Sequence, residues 1–315
     1  MYAFSTNENH EQLISDGFSR LQKFSFPEDQ SSKILIIIDV PIPEAFPTHT
    51  NPDTIAASVK LLKSKGYHDI SVIGLAEHPY SDLKIMESFG LYDFLVDNGV
   101  SVISLDDAEM WIPIQSGNVS NGDSYRIPKV LEDSQFIIAI NQLKYHPYLG
   151  IYGFSEMLNK LVFGKSGNLE FRFDILIDIL SRKRSAVYIN DAYYLGIGTT
   201  PFLCENSVVL KTNTMIFSVH PILCDILTMY GLDIRDPLVL LENKLIRNCK
   251  TLLPSEYFTI NVDEFKTMFK PEISRHFNPI ELNDIFKEGP QIYRGSTDVI
   301  TEYLLSKNLS LLKSL

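Results

Sequence analysis

Residues 134–146 read Ser-Gln-Phe-Ile-Ile-Ala-Ile-Asn-Gln-Leu-Lys-Tyr-His, and the placement of that stretch decides the fold. Phe136 to Ile140 is a continuous apolar run of the kind found in strands buried on both faces of a parallel sheet. Polar groups follow at once, with Lys144 and His146 delivered to the mouth of the sheet. Ligands of α/β proteins bind at such carboxyl ends, so one stretch predicts an architecture and a place for chemistry.

Working outward, Ile34 to Val40 has the same buried, β-branched character. Its exit, residues 41–50, carries three prolines and is read as a loop. Asn51-Pro52 predicts a helix start: Asn51 caps, and Pro52 sits in the first turn, where no amide donor is missed. Ile55, Val59 and Leu62 form the apolar stripe, Gly66 ends the helix, and Ile70 to Leu75 returns as a strand. Such a strand–helix–strand unit brings its two strands together in parallel. Upstream, Ser5 and Glu8 have capping-box spacing, which predicts an amphipathic helix carrying Ile14, Phe18 and Leu21.

Downstream, a helix is expected from Ser81 to Phe89, a strand from Val100 to Leu105, and a hairpin from Trp111 to Ile127 around Asn121-Gly122. Phe154, Met157, Leu158, Leu161 and Val162 stripe one helix, and Phe173, Leu176 and Leu180 another. Ala186 to Asn190 reads as a strand ending at Asp191, followed by a glycine-bearing loop with Gly196 and Gly198. Helices are expected from Pro221 to Tyr230 and from Asp236 to Arg247, and a last strand from Tyr257 to Val262. The alternation predicts an α/β fold: a mostly parallel sheet with flanking helices and Rossmann-like strand–helix–strand units. Residues 1–32 form an N-terminal strand/helix and linker. Residues 33–262 form the core, with a lobe boundary near 130 left open, and residues 263–315 form a peripheral helical tail.

Composition excludes several classes. The chain has 315 residues, 28 Lys and Arg against 39 Asp and Glu, and a net charge of −11. That balance argues against a nucleic-acid or anionic-membrane surface, which needs clustered cations. No apolar stretch approaches the roughly 20 residues that span a bilayer. Cys204, Cys224 and Cys249 have neither metal-clip nor disulfide spacing, and they suit a reducing cytosol as small buried hydrophobes. With no basic and apolar leader pattern, a cytoplasmic protein is expected.

Three strand exits carry the candidate chemistry: Thr48 and His49, then Glu77 and His78, then Lys144 and His146. On parallel neighbouring strands these groups share one edge, where imidazoles suit proton transfer or ligation of a divalent metal. His49, His78 and His146 are the metal candidates. Asn159 and Lys160 interrupt an apolar stripe, either on a solvated face or turned toward the loop mouth to hold an anion. The expected function is an enzyme acting on a small anionic organic molecule. His78, His146 and Lys144 are its catalytic candidates, and Thr48, His49, Asn159, Lys160 and Asp191 are its ligand contacts. The alternative is a ligand-binding or regulatory protein on the same fold without catalysis.

At these residues the sequence resembles the domain of unknown function 362 family, from roughly Lys33 to Glu242. The resemblance rests on a Thr-His-x-x-Pro-like turn (Thr48 to Pro52), a Lys-x-His element (Lys144 to His146) and a Leu-Lys-Asn-Leu-Phe-Gly-like helix (Leu158 to Gly164). It extends to an Asp-Gly…Gly-x-Gly-Pro-like loop (Asp191 to Pro201) and an Asp-Pro-x-x-x-Asp-like helix (His220 to Asp225). Here Asn159-Lys160 stands for Lys-Asn, Asp191-Ala192 for Asp-Gly, and His220 for the first Asp. Many family members carry ferredoxin-like cysteine clusters. This chain has none, so an iron–sulfur cluster is not expected. Ala76-Glu77-His78-Pro79, with Lys144 to His146 and Lys160, is also similar to elements of the nickel-pincer lactate racemase family. That similarity implies paired histidine bases and isomerase-like chemistry. The Gly-Gly-Arg-Lys segment of that family is absent, so pincer attachment is not expected.

Overall fold

A computed structural model describes residues 2–21, 24–43, 48–77, 79–114, 125–146, 150–162, 185–197 and 208–231. The expected elements at Phe173–Leu180, Asp236–Arg247, Tyr257–Val262 and 263–315 lie outside the described residues, as does the Asn121-Gly122 hairpin tip.

Five parallel strands make the centre: β2 (Ile34–Asp39), β3 (Ile70–Leu75), β4 (Ser101–Val102), β7 (Phe136–His146) and β9 (Ala186–Ile197). Their spatial order is β9-β7-β2-β3-β4. Beyond β9 the sheet turns antiparallel, with β11 (Thr214–Ser218) on β9 and β1 (Tyr2–Thr6) on β11. β10 (Val208–Lys211) pairs with β9 and β8 (Gly150–Tyr152) with β7, giving nine strands among the described residues. β5 (Trp111–Pro113) and β6 (Arg126–Pro128) form a separate antiparallel pair, the two arms of the expected hairpin, and the short helix α5 (Lys129–Asp133) follows.

Alternation in the strands sorts side chains to two faces. Ile34, Ile36, Ile38, Ile138, Ile140 and Ile189 join one core with Leu13 and Ile14 of α1 (His10–Arg20) and Ile55, Val59 and Leu62 of α2 (Pro52–Ser64). The intervening Leu35, Ile37, Ile137 and Tyr188 are also buried. On that second side Phe154 of α6 (Phe154–Met157) meets Tyr188 edge-on at 5.3 Å, beside α7 (Pro221–Gly231). Both faces are covered, which is why the central strands are unbroken apolar runs.

The β2–α2–β3 unit forms as expected: Asn51 accepts from the Asp53 amide, Pro52 opens the helix, and Gly66 stands beyond it at φ 90°. Several other expectations are corrected. Ser5 does not cap a helix but is buried in β1, opposite Met215, and the cap is Asn9, whose side chain accepts from the Gln12 amide. The strand expected over Val100–Leu105 is only Ser101–Val102. The helix at Ser81 is short, α3 (Asp82–Ser88), and Gly90 at φ 69° leads into an unexpected α4 (Leu91–Asp97). β9 does not end at Asp191. The strand runs on to Ile197 because Tyr194 to Ile197 pair with β10, and Gly196 and Ile197 also pair with Lys144 and Tyr145 across a register shift in β7.

Candidate functional site

The chain runs from β2 outward to β3 and β4, then crosses back to place β7 on the other flank of β2. The β2/β7 crevice is therefore the switch point, the place where α/β sheets generally bind ligands because connections leave it in opposite directions. Asp39 ends β2 in that crevice and is fully buried.

Two lysines converge on it. Lys144 Nζ donates to Asp39 Oδ2 at 2.6 Å and to the Thr48 carbonyl at 2.6 Å, with its side chain 1% exposed. Lys160 Nζ lies 3.4 Å from Asp39 Oδ1 and 2.8 Å from Glu77 Oε1, with its side chain 15% exposed. The Tyr152 ring lies 4.6 Å from the first ammonium and 5.3 Å from the second, within cation–π range. Its hydroxyl lies 3.2 Å from Glu77 Oε1 and 3.4 Å from Asp39 Oδ1. Burial pulls the Lys144 pKa below the ordinary lysine value, and the Asp39 carboxylate pulls it back up.

The backbone around the crevice is tied down. The Thr50 hydroxyl accepts from the Asp39 amide and lies within hydrogen-bond distance of the Asp39 and Ile140 carbonyls, so the exit loop grips both strands. The Glu77 amide donates to the Pro41 carbonyl, joining the β2 and β3 exits. On the second face Asp225 accepts from the Phe154 amide at 2.9 Å and from Asn190 at 3.3 Å, pinning the start of α6. A 3₁₀ turn at Leu158–Leu161 follows α6 and carries Lys160.

Of the residues singled out from sequence, Thr48, Lys144 and Lys160 meet here, Thr48 through its carbonyl. Lys160 turns toward the carboxylates of Asp39 and Glu77. His49 sits beside them, buried, its ring stacked 3.8 Å from that of Phe89. Its Nδ1 lies 3.1 Å from the Thr50 carbonyl, which can only accept and so fixes a proton on that nitrogen. Burial holds the His49 pKa below its usual value, and the Lys144 charge acts in the same direction. Asp191 goes elsewhere: it accepts from Thr54 at 2.5 Å and from the Tyr193 amide at 3.0 Å. Thr54 in turn meets His10 Nδ1 at 3.0 Å. His78 and the side chains of His146 and Asn159 lie outside the described residues.

Sequence reasoning missed Asp39, Tyr152, Thr54 and His10. For Asp39 a signal existed: it is the one charged residue in the run Ile34–Val40. Among the described residues no three His, Cys, Asp or Glu side chains gather to hold a metal ion. At Asp39 itself two ammonium groups would repel a divalent cation, so this donor set does not fit one. Among the described residues, no helix is long and apolar enough to cross a membrane.

Among solved structures, the lactate racemase apoprotein from Thermoanaerobacterium thermosaccharolyticum matches at 12% identity and a TM-score of 0.44, over 72% of this chain and 57% of that one. A protein from Thermotoga maritima matches at 10% identity and a TM-score of 0.41, over 65% and 54%. The chain thus spans little more than half the length of either. No curated protein matches it. One family model does, across residues 34–228, from the first core strand into the helix that carries Asp225. The chain belongs to the family described as Domain of unknown function (DUF362).

Proposed function

We propose that the β2/β7 crevice binds a small anionic organic molecule and that the chain is an enzyme acting on it. The observation that carries this reading is the sharing of one buried carboxylate, Asp39, by two ammonium groups at the switch point. Lys144, buried and tied on two sides, supplies a fixed positive field. Lys160, nearer to solvent, is suited to meet the anion. A field preorganised in a dry crevice is worth more than the same charges in water. Tyr152 adds a hydroxyl beside both lysines. His78, next to Glu77 in the chain, and His146, two residues past Lys144, are proposed as the groups that take and return protons.

The experiment has two parts. Titration calorimetry with small carboxylates and organic phosphates should show binding by the wild type and its loss in Lys160→Met. Proton NMR of the bound acid in D2O should show exchange of a carbon-bound hydrogen that stops in His146→Ala while binding persists. Binding with no exchange or turnover would make the chain a binding protein. Undiminished exchange in His146→Ala would remove that residue from the chemistry.

A further inference from the structure

One carboxylate oxygen in the crevice has two fixed donors. Glu77 Oε1 lies 2.8 Å from Lys160 Nζ and 3.2 Å from the Tyr152 hydroxyl. Both donors are rooted firmly. Tyr152 lies on β8, which pairs with β7, and Lys160 stands in a turn whose Leu158 and Leu161 are fully buried. The acceptor differs: the Glu77 side chain is 39% exposed, against 15% for Lys160 and 0% for Asp39. Its backbone is anchored through the Pro41 carbonyl and a turn to the Tyr80 amide, so the side chain can swing without moving the loop.

Charge points the same way. Lys144 and Lys160 set against Asp39 leave one positive charge, and Glu77 neutralises it. An ion pair with an exposed partner is weakly held, because water and salt compete for it. When Glu77 leaves, the Tyr152 hydroxyl keeps Asp39 Oδ1 at 3.4 Å as an acceptor, and Lys160 keeps the Leu75 carbonyl at 3.4 Å. The Lys160 ammonium and one unit of positive charge then face the mouth, and the single Tyr152 proton turns back from Asp39 when a ligand oxygen takes the place of Glu77.

We propose that Glu77 Oε1 marks a carboxylate subsite, built by Lys160 Nζ and the Tyr152 hydroxyl, in which the Glu77 side chain is a resident stand-in that a ligand carboxylate displaces. The subsite rests on the reading of the crevice as an anion site and names the group it takes: a singly charged carboxylate, which reproduces the contacts and charge of the one it replaces. Glu77 then acts as a competitor, raising the ligand concentration needed for occupancy.

The test is titration of acetate and of inorganic phosphate into wild type, Glu77→Gln, Glu77→Ala and Lys160→Met, with thermal melting to check folding. Both Glu77 variants should bind acetate tighter than wild type, on the order of tenfold, since an internal anion no longer competes. Lys160→Met should bind neither probe. Equal or weaker acetate affinity in both Glu77 variants overturns the stand-in role, while loss of binding in Lys160→Met leaves the anion site standing. Phosphate preferred to acetate in Glu77→Gln overturns the carboxylate assignment. No binding of either probe to any variant overturns both readings.

Discussion

The Lys144 ammonium lies 2.6 Å from Asp39 Oδ2, and neither side chain has meaningful contact with water. Removing one partner of such a pair strands the other. Lys144→Met should therefore cost about 3–5 kcal/mol in urea denaturation, because it leaves a buried carboxylate with only Lys160 and a hydroxyl nearby. Adding Asp39→Leu should recover most of that loss, since both buried charges are then gone. A cost below about 1 kcal/mol for Lys144→Met alone would show that the pair carries no charge in the folded state.

Asp191 sets a pH dependence with a definite sign. Burial raises its pKa from 3.8 to about 6, against the pull of the Thr54 hydroxyl and the Tyr193 amide. The folded state then holds the proton more tightly than the unfolded state, so this group's contribution to stability falls as pH rises from about 4 to about 6. The fall is on the order of 3 kcal/mol, roughly two pKa units at 1.36 kcal/mol each. Asp191→Asn removes it. Melting curves should nearly coincide with wild type at pH 4, and the variant should gain as pH approaches 7. A gap that does not change with pH would refute this assignment.

Gly153 stands where a side chain cannot. A Cβ there would lie 2.4 Å from Asp225 Oδ1, the oxygen that receives the Phe154 amide. Gly153→Ala should cost about 1–3 kcal/mol by overpacking. Because α6 leads into the turn that carries Lys160, the same variant should weaken anion binding, which calorimetry reads directly. Retained affinity would show that the turn holds its place without Asp225.

Gly17 makes the corresponding contact on the other face, where an added Cβ would come within 2.2 Å of the Phe217 ring. Gly17→Ala should cost about 1–3 kcal/mol. Combined with Phe217→Leu, the total should be smaller than the sum, because both changes act on one contact. Additive costs would mean that α1 shifts as a body and the ring is not the obstacle.

The β2–α2–β3 unit and β7 were legible because strong local signals agree with the tertiary outcome. Asn51, Pro52 and Gly66 punctuate the helix, and apolar runs mark strands covered on both faces. Lys144 was legible as a polar group at a strand end. Asp39 left a single signal, its charge, but a run that is otherwise aliphatic reads as core, and only the two distant lysines make that charge tolerable. Thr54 and His10 stayed hidden for a related reason. A threonine in a first helical turn and a histidine at a helix start are unremarkable until Asp191 arrives beside them. The extension of β9 past Asp191 depends on pairing with β10, and no local pattern in Ala192–Ile197 announces that partner. β1 likewise owes its conformation to β11, so the Ser5–Glu8 capping signal lost to a strand pairing formed far along the chain.

That pairing also bears on biosynthesis. Tyr2–Thr6 are translated well before their hydrogen-bonding partners, Thr214–Ser218. The nascent chain must carry an unmatched β edge, with the apolar Ala3 and Phe4, until Thr214–Ser218 have been made. Contacts this distant in sequence close slowly, and unpaired edges exposed on partly folded chains invite aggregation. A holdase that shields Tyr2–Thr6 on the nascent chain should therefore raise the yield of native protein in cell-free translation.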